Sequence, residues 1–230
     1  MGQEATLSFA RKYGGYTADV YESRRVGKKW DSENEAVQQL LEYIPEGSKV
    51  LDCPVGTGRL FRYFNARKFR TSGLDASADM LEQARMAAEK VGGTLSLKEG
   101  DIRSLPFADG SFDLVVCVRF LNLIKRDGVE VVVRELTRVS GDKILIGIRY
   151  IAPLSDLRAN ADDLVRLASR PLWLAKWLLR GSDMVIHKKK FVTGMIKRCG
   201  LTVVQTRYVE RRWDGTDYVM LLLQKPGASK

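Results

Sequence analysis

The sequence contains a single histidine and three cysteines in 230 residues. Cys53, Cys117 and Cys199 stand far apart with no Cys-x-x-Cys pair, so three reduced thiols are expected, with no disulfide framework and no metal site. No run of about 18 apolar residues occurs, which argues against a membrane-spanning helix. The opening MGQEATLSFARKYGG lacks the apolar centre of a secretory signal, although MGQEAT fits the loose Gly2…Thr6 pattern for myristoylation. A cytoplasmic location follows, with contact at the inner membrane surface left open. Repeats, low-complexity tracts and Pro/Ser-rich linkers are also missing, so one domain is expected over residues 1–230.

What is plentiful is positive charge: 38 Lys and Arg against 28 Asp and Glu, a formal net charge of +10. That balance favours anionic partners such as nucleic acid, phosphorylated metabolites or an acidic membrane surface, without choosing among them. The apolar content of 45% is enough for a sizeable buried core.

Short apolar runs alternate with helical patterns along most of the chain. AVQQLLEYI (36–44) has helical spacing and is stopped by Pro45, Gly47 and Ser48. KVLDC opens a first strand, FRTSGLD (69–75) reads as a second, and Ser77 can cap the helix that follows it. TLSLKEGD (94–101) alternates like a strand, and SFDLVVCVR (111–119) and KILIGIRYI (143–151) are continuous apolar runs suited to buried strands. A helix is expected between them, over about 125–139. This βαβα rhythm predicts a mostly parallel sheet covered on both faces. Residues 153–190 break the rhythm and read as a helical insert. FVTGMIKRCG then reads as a helix, and LTVVQTRYVE and TDYVMLLLQK as an antiparallel edge hairpin.

The loop VLDCPVGTGRL (50–60) joins a strand to a helix, the place where open α/β sheets bind ligands. It is not a dinucleotide loop: no third glycine stands in register, and Asp52 would oppose a pyrophosphate. It is not a P-loop either, because no Gly-Lys-Ser/Thr follows. A ligand with a cationic end and a ribose but no phosphate fits better.

This loop resembles motif I of the class I S-adenosylmethionine-dependent methyltransferases, with Asp52 as the family's acid and Gly56 and Gly58 as its glycines. Pro54 replaces the usual first glycine. GLDAS (73–77) resembles motif II, and EGDIRSLPFADGSFDLVVCVRFLNLI (99–124) the next two motifs. The resemblance spans roughly residues 35–225. It implies a Rossmann-like, doubly wound, seven-stranded sheet, mostly parallel with a C-terminal antiparallel hairpin. It also implies an N-terminal helical cap (1–47), a cofactor-binding core (48–150), an acceptor lid (151–200) and the edge hairpin (201–225).

The cofactor implied is S-adenosylmethionine. By the resemblance Asp75 would accept the ribose hydroxyls, Asp101 would face the adenine amino group, and Ile102 would pack on the ring. Pro54, Ala76, Met80 and Arg119 would also lie at the cofactor. The segment 13–30 is similar to the family's cap, so that Tyr13, Arg24 or Trp30 could meet the carboxylate, an arginine being suited to bidentate contact.

Methyl transfer is an in-line displacement that orientation alone can greatly accelerate, and a base is needed only when the acceptor must lose a proton. His187 is the candidate base, against an ordinary surface histidine beside Lys188–Lys190; Tyr16, Asp183 and Glu210 are weaker candidates. RPLWLAKWLLRGSDMVIHKKK (170–190) can be read as a packed lid, a lid for an apolar acceptor, or a membrane-surface helix. The expected acceptor is a small molecule or a lipid- or glycan-linked group, with anionic character left open. RNA is less favoured, because CVRFLNLI lacks the motifs of base-modifying enzymes and no RNA-binding module is recognisable. A cofactor-binding scaffold without transferase activity is the alternative.

Overall fold

The computed structural model describes residues 28–93, 95–151, 185–212 and 216–227. Its centre is one sheet in the order β3-β2-β1-β4-β5-β8-β7. The strands are β1 (Lys49–Asp52), β2 (Arg70–Asp75), β3 (Leu95–Glu99), β4 (Phe112–Cys117), β5 (Ser140–Ile151), β6 (His187–Lys188), β7 (Thr202–Arg211) and β8 (Thr216–Gln224). The helices are α1 (Lys28–Leu41), α2 (Phe61–Ala66), α3 (Ala78–Lys90), α4 (Arg126–Val139) and α5 (Lys189–Arg198).

β1 through β5 run parallel, while β8 lies antiparallel between β5 and β7. The expected fold class therefore holds, including the closing hairpin. Central strands are apolar without interruption because helices cover both faces, so both sets of alternating side chains need burial. Along β5, Ile144, Ile146 and Ile148 join α4 and α5 in one core. Leu145 instead joins α1, with Met220 and Leu222 of β8, in the other. Gly147 and Arg149 fall on this second face by the same alternation. α3 begins where the sequence predicts: Ser77 is its N-cap, and its hydroxyl accepts from the Met80 N–H at 3.4 Å. The outer strands β3 and β7 alternate or stay half-exposed and carry charged residues, which blunts both edges against further pairing.

Three expectations shift. The first helix stops at Leu41 rather than near Ile44, and β5 begins at Ser140, three residues early. The strand count rises from seven to eight because His187–Lys188, expected within a helical insert, pairs parallel with Tyr150–Ile151. β4 leaves β5 at the Cys117–Ile146 pair; beyond it the Arg149 N–H goes to the Asn122 side chain, and β6 pairs with Tyr150–Ile151. The remainder of the expected insert, the cap before Lys28 and the Gly2 motif lie outside the described residues.

Candidate active site

β1 is hydrogen-bonded to β2 on one side and to β4 on the other, so successive connections leave the sheet in opposite directions from it. The crevice beyond its carboxyl end is the point where the sheet reverses direction. The loop after Asp52 lines this crevice. Its Cys53–Pro54 peptide is cis, and Gly56 and Gly58 take φ of 53° and 74°, angles that favour glycine.

The two glycines serve different ends. A Cβ on Gly58 would stand 2.9 Å from the Ala84 Cα, so Gly58 lets α3 pack against the loop. A Cβ on Gly56 would meet nothing within 4 Å, so the space above Gly56 is open to a ligand.

Asp75, at the end of β2, fixes this turn. Its Oδ2 accepts from the Gly56 N–H at 2.9 Å and its Oδ1 from the Ser77 N–H at 3.0 Å. A carboxylate has about four lone-pair directions, so capacity remains on both oxygens. Burial pushes the Asp75 carboxyl above its usual range, against those backbone hydrogen bonds. Asp52 is buried beside it and is pushed well above the usual range, first by burial and also by Asp75, with Arg59 opposing. Met80 and Ile102 are buried near these strand ends, and Ala76 is half-buried. Asp101 is held locally: both its oxygens take hydrogen bonds from the Arg103 guanidinium, at 2.6–3.0 Å, and Oδ1 also takes the Arg103 N–H.

Arg119 follows β4 with φ of 66° and reaches back to α1. Its Nε donates to the Glu33 Oε2 at 2.5 Å, while the Arg59 Nη2 donates to the Glu33 Oε1 at 2.5 Å. Glu33 is wholly buried between them. Trp30 stacks on this pair, with the Arg119 and Arg59 guanidinium carbons 4.4 and 5.9 Å from its ring centre.

The turn after β4 (Leu121–Leu123) is tied to later chain. Asn122 Oδ1 accepts from the Arg149 N–H at 2.6 Å, its carbonyl accepts from the Val185 N–H, and the Leu121 carbonyl accepts from His187 Nε2 at 3.0 Å. His187 is therefore buried and not a surface residue. Its Nε2 carries the proton, and Nδ1 has no partner among the described residues. Burial lowers its pKa, with Arg126 adding to the effect and the Leu121 carbonyl opposing it.

Of the expected residues, Asp52, Pro54, Gly56, Gly58, Asp75, Ala76, Met80, Asp101, Ile102, Arg119, Trp30 and His187 fall on described chain; Arg24, Tyr13, Tyr16 and Asp183 do not. Glu210 is engaged in an ion pair with Arg149 at 2.6 Å. Glu33, Arg59, Asn122, Arg149 and Tyr218 have no counterpart among those expectations. Two of them carry a signal in the sequence: Arg59 follows Gly58 directly, and Arg149 is a cation inside the apolar run that starts at Ile144.

The methyltransferase-domain family matches residues 50–142, which span β1 to the start of β5. Residues 50–142 thus carry a methyltransferase domain. A probable methyltransferase of Aspergillus luteorubrus is 31% identical over 125 residues, covering 50% of this chain and 41% of that protein. A phosphatidylethanolamine N-methyltransferase of Cereibacter sphaeroides is 30% identical over 131 residues, covering 55% and 63%. The chain thus spans about half the length of the curated relatives it matches. Among solved structures, the magnesium protoporphyrin IX methyltransferase of Synechocystis with bound S-adenosylhomocysteine has a TM-score of 0.66 at 18% identity, covering 94% of this chain and 92% of that one. At that identity the likeness speaks to the methyltransferase fold.

Proposed function

We propose that this methyltransferase moves a methyl group from S-adenosylmethionine to a small-molecule or lipid- or glycan-linked acceptor by in-line displacement. The observation that carries the reading is the Asp75 clasp on the glycine turn, with open space above Gly56. The donor set suits the cofactor. Asp75 has lone pairs left for two ribose hydroxyls, and buried Asp52 offers an anion to an ammonium. Met80 and Ile102 supply apolar surface for the adenine, and Arg119 beside Trp30 supplies a cation for the carboxylate. Asp101 can take the adenine amino group only by sharing its oxygens with Arg103.

When bound, the cofactor supplies an electrophilic methyl on a sulfonium. The chain's part is to orient the acceptor, exclude water and, where the acceptor bears a proton, remove it. His187 suits this proton removal, because its Nε2–H is fixed on the Leu121 carbonyl, its Nδ1 lone pair is unused, and its lowered pKa keeps the ring neutral near pH 7.

Calorimetry with S-adenosylmethionine and S-adenosylhomocysteine tests the reading. Both are expected to bind, and Asp75→Ala should weaken them at least tenfold, or ~1.4 kcal/mol. An unchanged dissociation constant in Asp75→Ala would refute the ribose placement, and no binding of either compound would refute the function. Binding without methyl transfer to any acceptor would favour the scaffold alternative.

A further inference from the structure

Arg149 is the anomaly of β5, a guanidinium within its apolar stretch from Ile144 onward and only 1% exposed. One of its nitrogens is matched, Nη2 to the Glu210 Oε2 at 2.6 Å. Nε and Nη1 are buried with no hydrogen-bond partner among the described residues. Its cross-strand neighbour on β8 is Tyr218, also fully buried, whose hydroxyl has the Arg119 backbone N–H near it but no well-aligned hydrogen-bond partner among the described residues. That hydroxyl lies over Gly147, two residues before Arg149 on the same face, where a Cβ would collide with it. The Tyr218 ring also has Arg119 close by, with the guanidinium carbons of Arg119 and Arg149 4.5 and 5.5 Å from its centre.

Buried polar groups are matched almost without exception, and a guanidinium left partly unmatched is among the most unfavourable omissions. Here two such side chains adjoin on one face. The three arginines are also unequally matched: Arg59 and Arg119 share Glu33 and Arg59 also faces buried Asp52, whereas Arg149 has Glu210 on Nη2 alone. The position is informative as well. Arg119 lies just past the end of β4, and Arg149 is two residues from the end of β5, on the edge of the sheet where ligands bind.

We propose that Arg149 and Tyr218 form a seat for the acceptor's anionic group, a singly charged carboxylate. The proposal rests on the methyltransferase reading and names the acceptor class for that site. Arg149 supplies one charged donor, from Nε–H or from Nη1–H on the other edge of the guanidinium, and Tyr218 a hydroxyl that burial holds in its neutral, donating form.

The test titrates benzoate, and its neutral isostere benzamide, into the protein loaded with S-adenosylhomocysteine and into the cofactor-free protein. Benzoate should bind at least tenfold more tightly than benzamide. Arg149→Gln should reduce that preference to less than twofold, and Tyr218→Phe, which keeps the ring packing, should weaken benzoate at least threefold. The affinity for S-adenosylhomocysteine should stay within twofold in both variants. Equal binding of benzoate and benzamide, or a preference that survives both substitutions, would overturn the seat and assign those donors to solvent. Loss of S-adenosylhomocysteine binding in the unaltered protein would instead overturn the methyltransferase reading, and the cofactor-free titration would still decide the seat.

Discussion

Arg119 donates from Nε to the Glu33 Oε2 at 2.5 Å across 86 positions of sequence, while Arg59 holds the other oxygen of the same carboxylate. One buried glutamate on α1 thereby ties together the glycine loop after β1 and the turn after β4, which are the two walls of the cofactor crevice. α1 is thus part of the site's frame as well as a cover for the sheet.

Breaking that tie should be costly. Glu33→Gln removes the charge and leaves two nearly buried guanidiniums facing one another, so a loss of about 3 kcal/mol of folding free energy is expected. Urea unfolding measures it. A loss below about 1 kcal/mol, the range of exposed pairs, would mean that the bridge is solvated in solution.

The sheet was legible because burial on both faces writes itself as uninterrupted apolar runs: VLD, LVVC and ILIGI all became central strands. The crevice was legible because glycines and acids at strand ends have few other reasons to recur. The Glu33–Arg59–Arg119 bridge was not, because nothing local marks Glu33 as facing two cations contributed by segments 26 and 86 residues away. β6 was hidden for a similar reason. His187–Lys188 has no strand pattern of its own and is recruited by the unpaired peptide groups of Tyr150–Ile151. His187 stands out as the lone histidine, but its burial follows from that pairing, which no local pattern announces.

Asp52 should trade stability for binding. Burial raises its pKa, so the folded state holds the proton more tightly than the unfolded state does. Its contribution to stability is therefore favourable at low pH and is lost as pH rises through the folded value. Asp52→Asn should raise the melting temperature of the cofactor-free protein at pH 8, with the gain shrinking as pH falls toward the unperturbed 3.8. The same substitution should weaken S-adenosylmethionine at least tenfold. A variant that melts lower at pH 8 would show that Arg59 outweighs desolvation there.

His187 predicts the opposite slope. Its pKa is lowered by burial, so the folded state binds fewer protons, and stability is lost as pH falls below the unperturbed 6.5. The unaltered protein should lose melting temperature more steeply between pH 7 and 5 than His187→Gln, whose amide can still donate to the Leu121 carbonyl. Parallel curves would place the imidazole in contact with water. If the acceptor must be deprotonated, His187→Gln should also lower kcat and remove the acid limb of its pH profile.

The two loop glycines should separate stability from binding. Each requires a positive φ, so alanine at either position is expected to lose roughly 1–2 kcal/mol from backbone conformation alone. Gly58→Ala adds a contact of 2.9 Å with the Ala84 backbone, which moves only with α3, whereas Gly56→Ala projects into open space. Urea unfolding should therefore find Gly58→Ala the less stable by at least about 1 kcal/mol. Calorimetry with S-adenosylhomocysteine should rank them the other way, Gly56→Ala losing more affinity because its new methyl stands where the ligand would lie. Equal losses of affinity would mean that the cofactor does not pass over Gly56, and the Asp75 clasp would then be a purely structural brace.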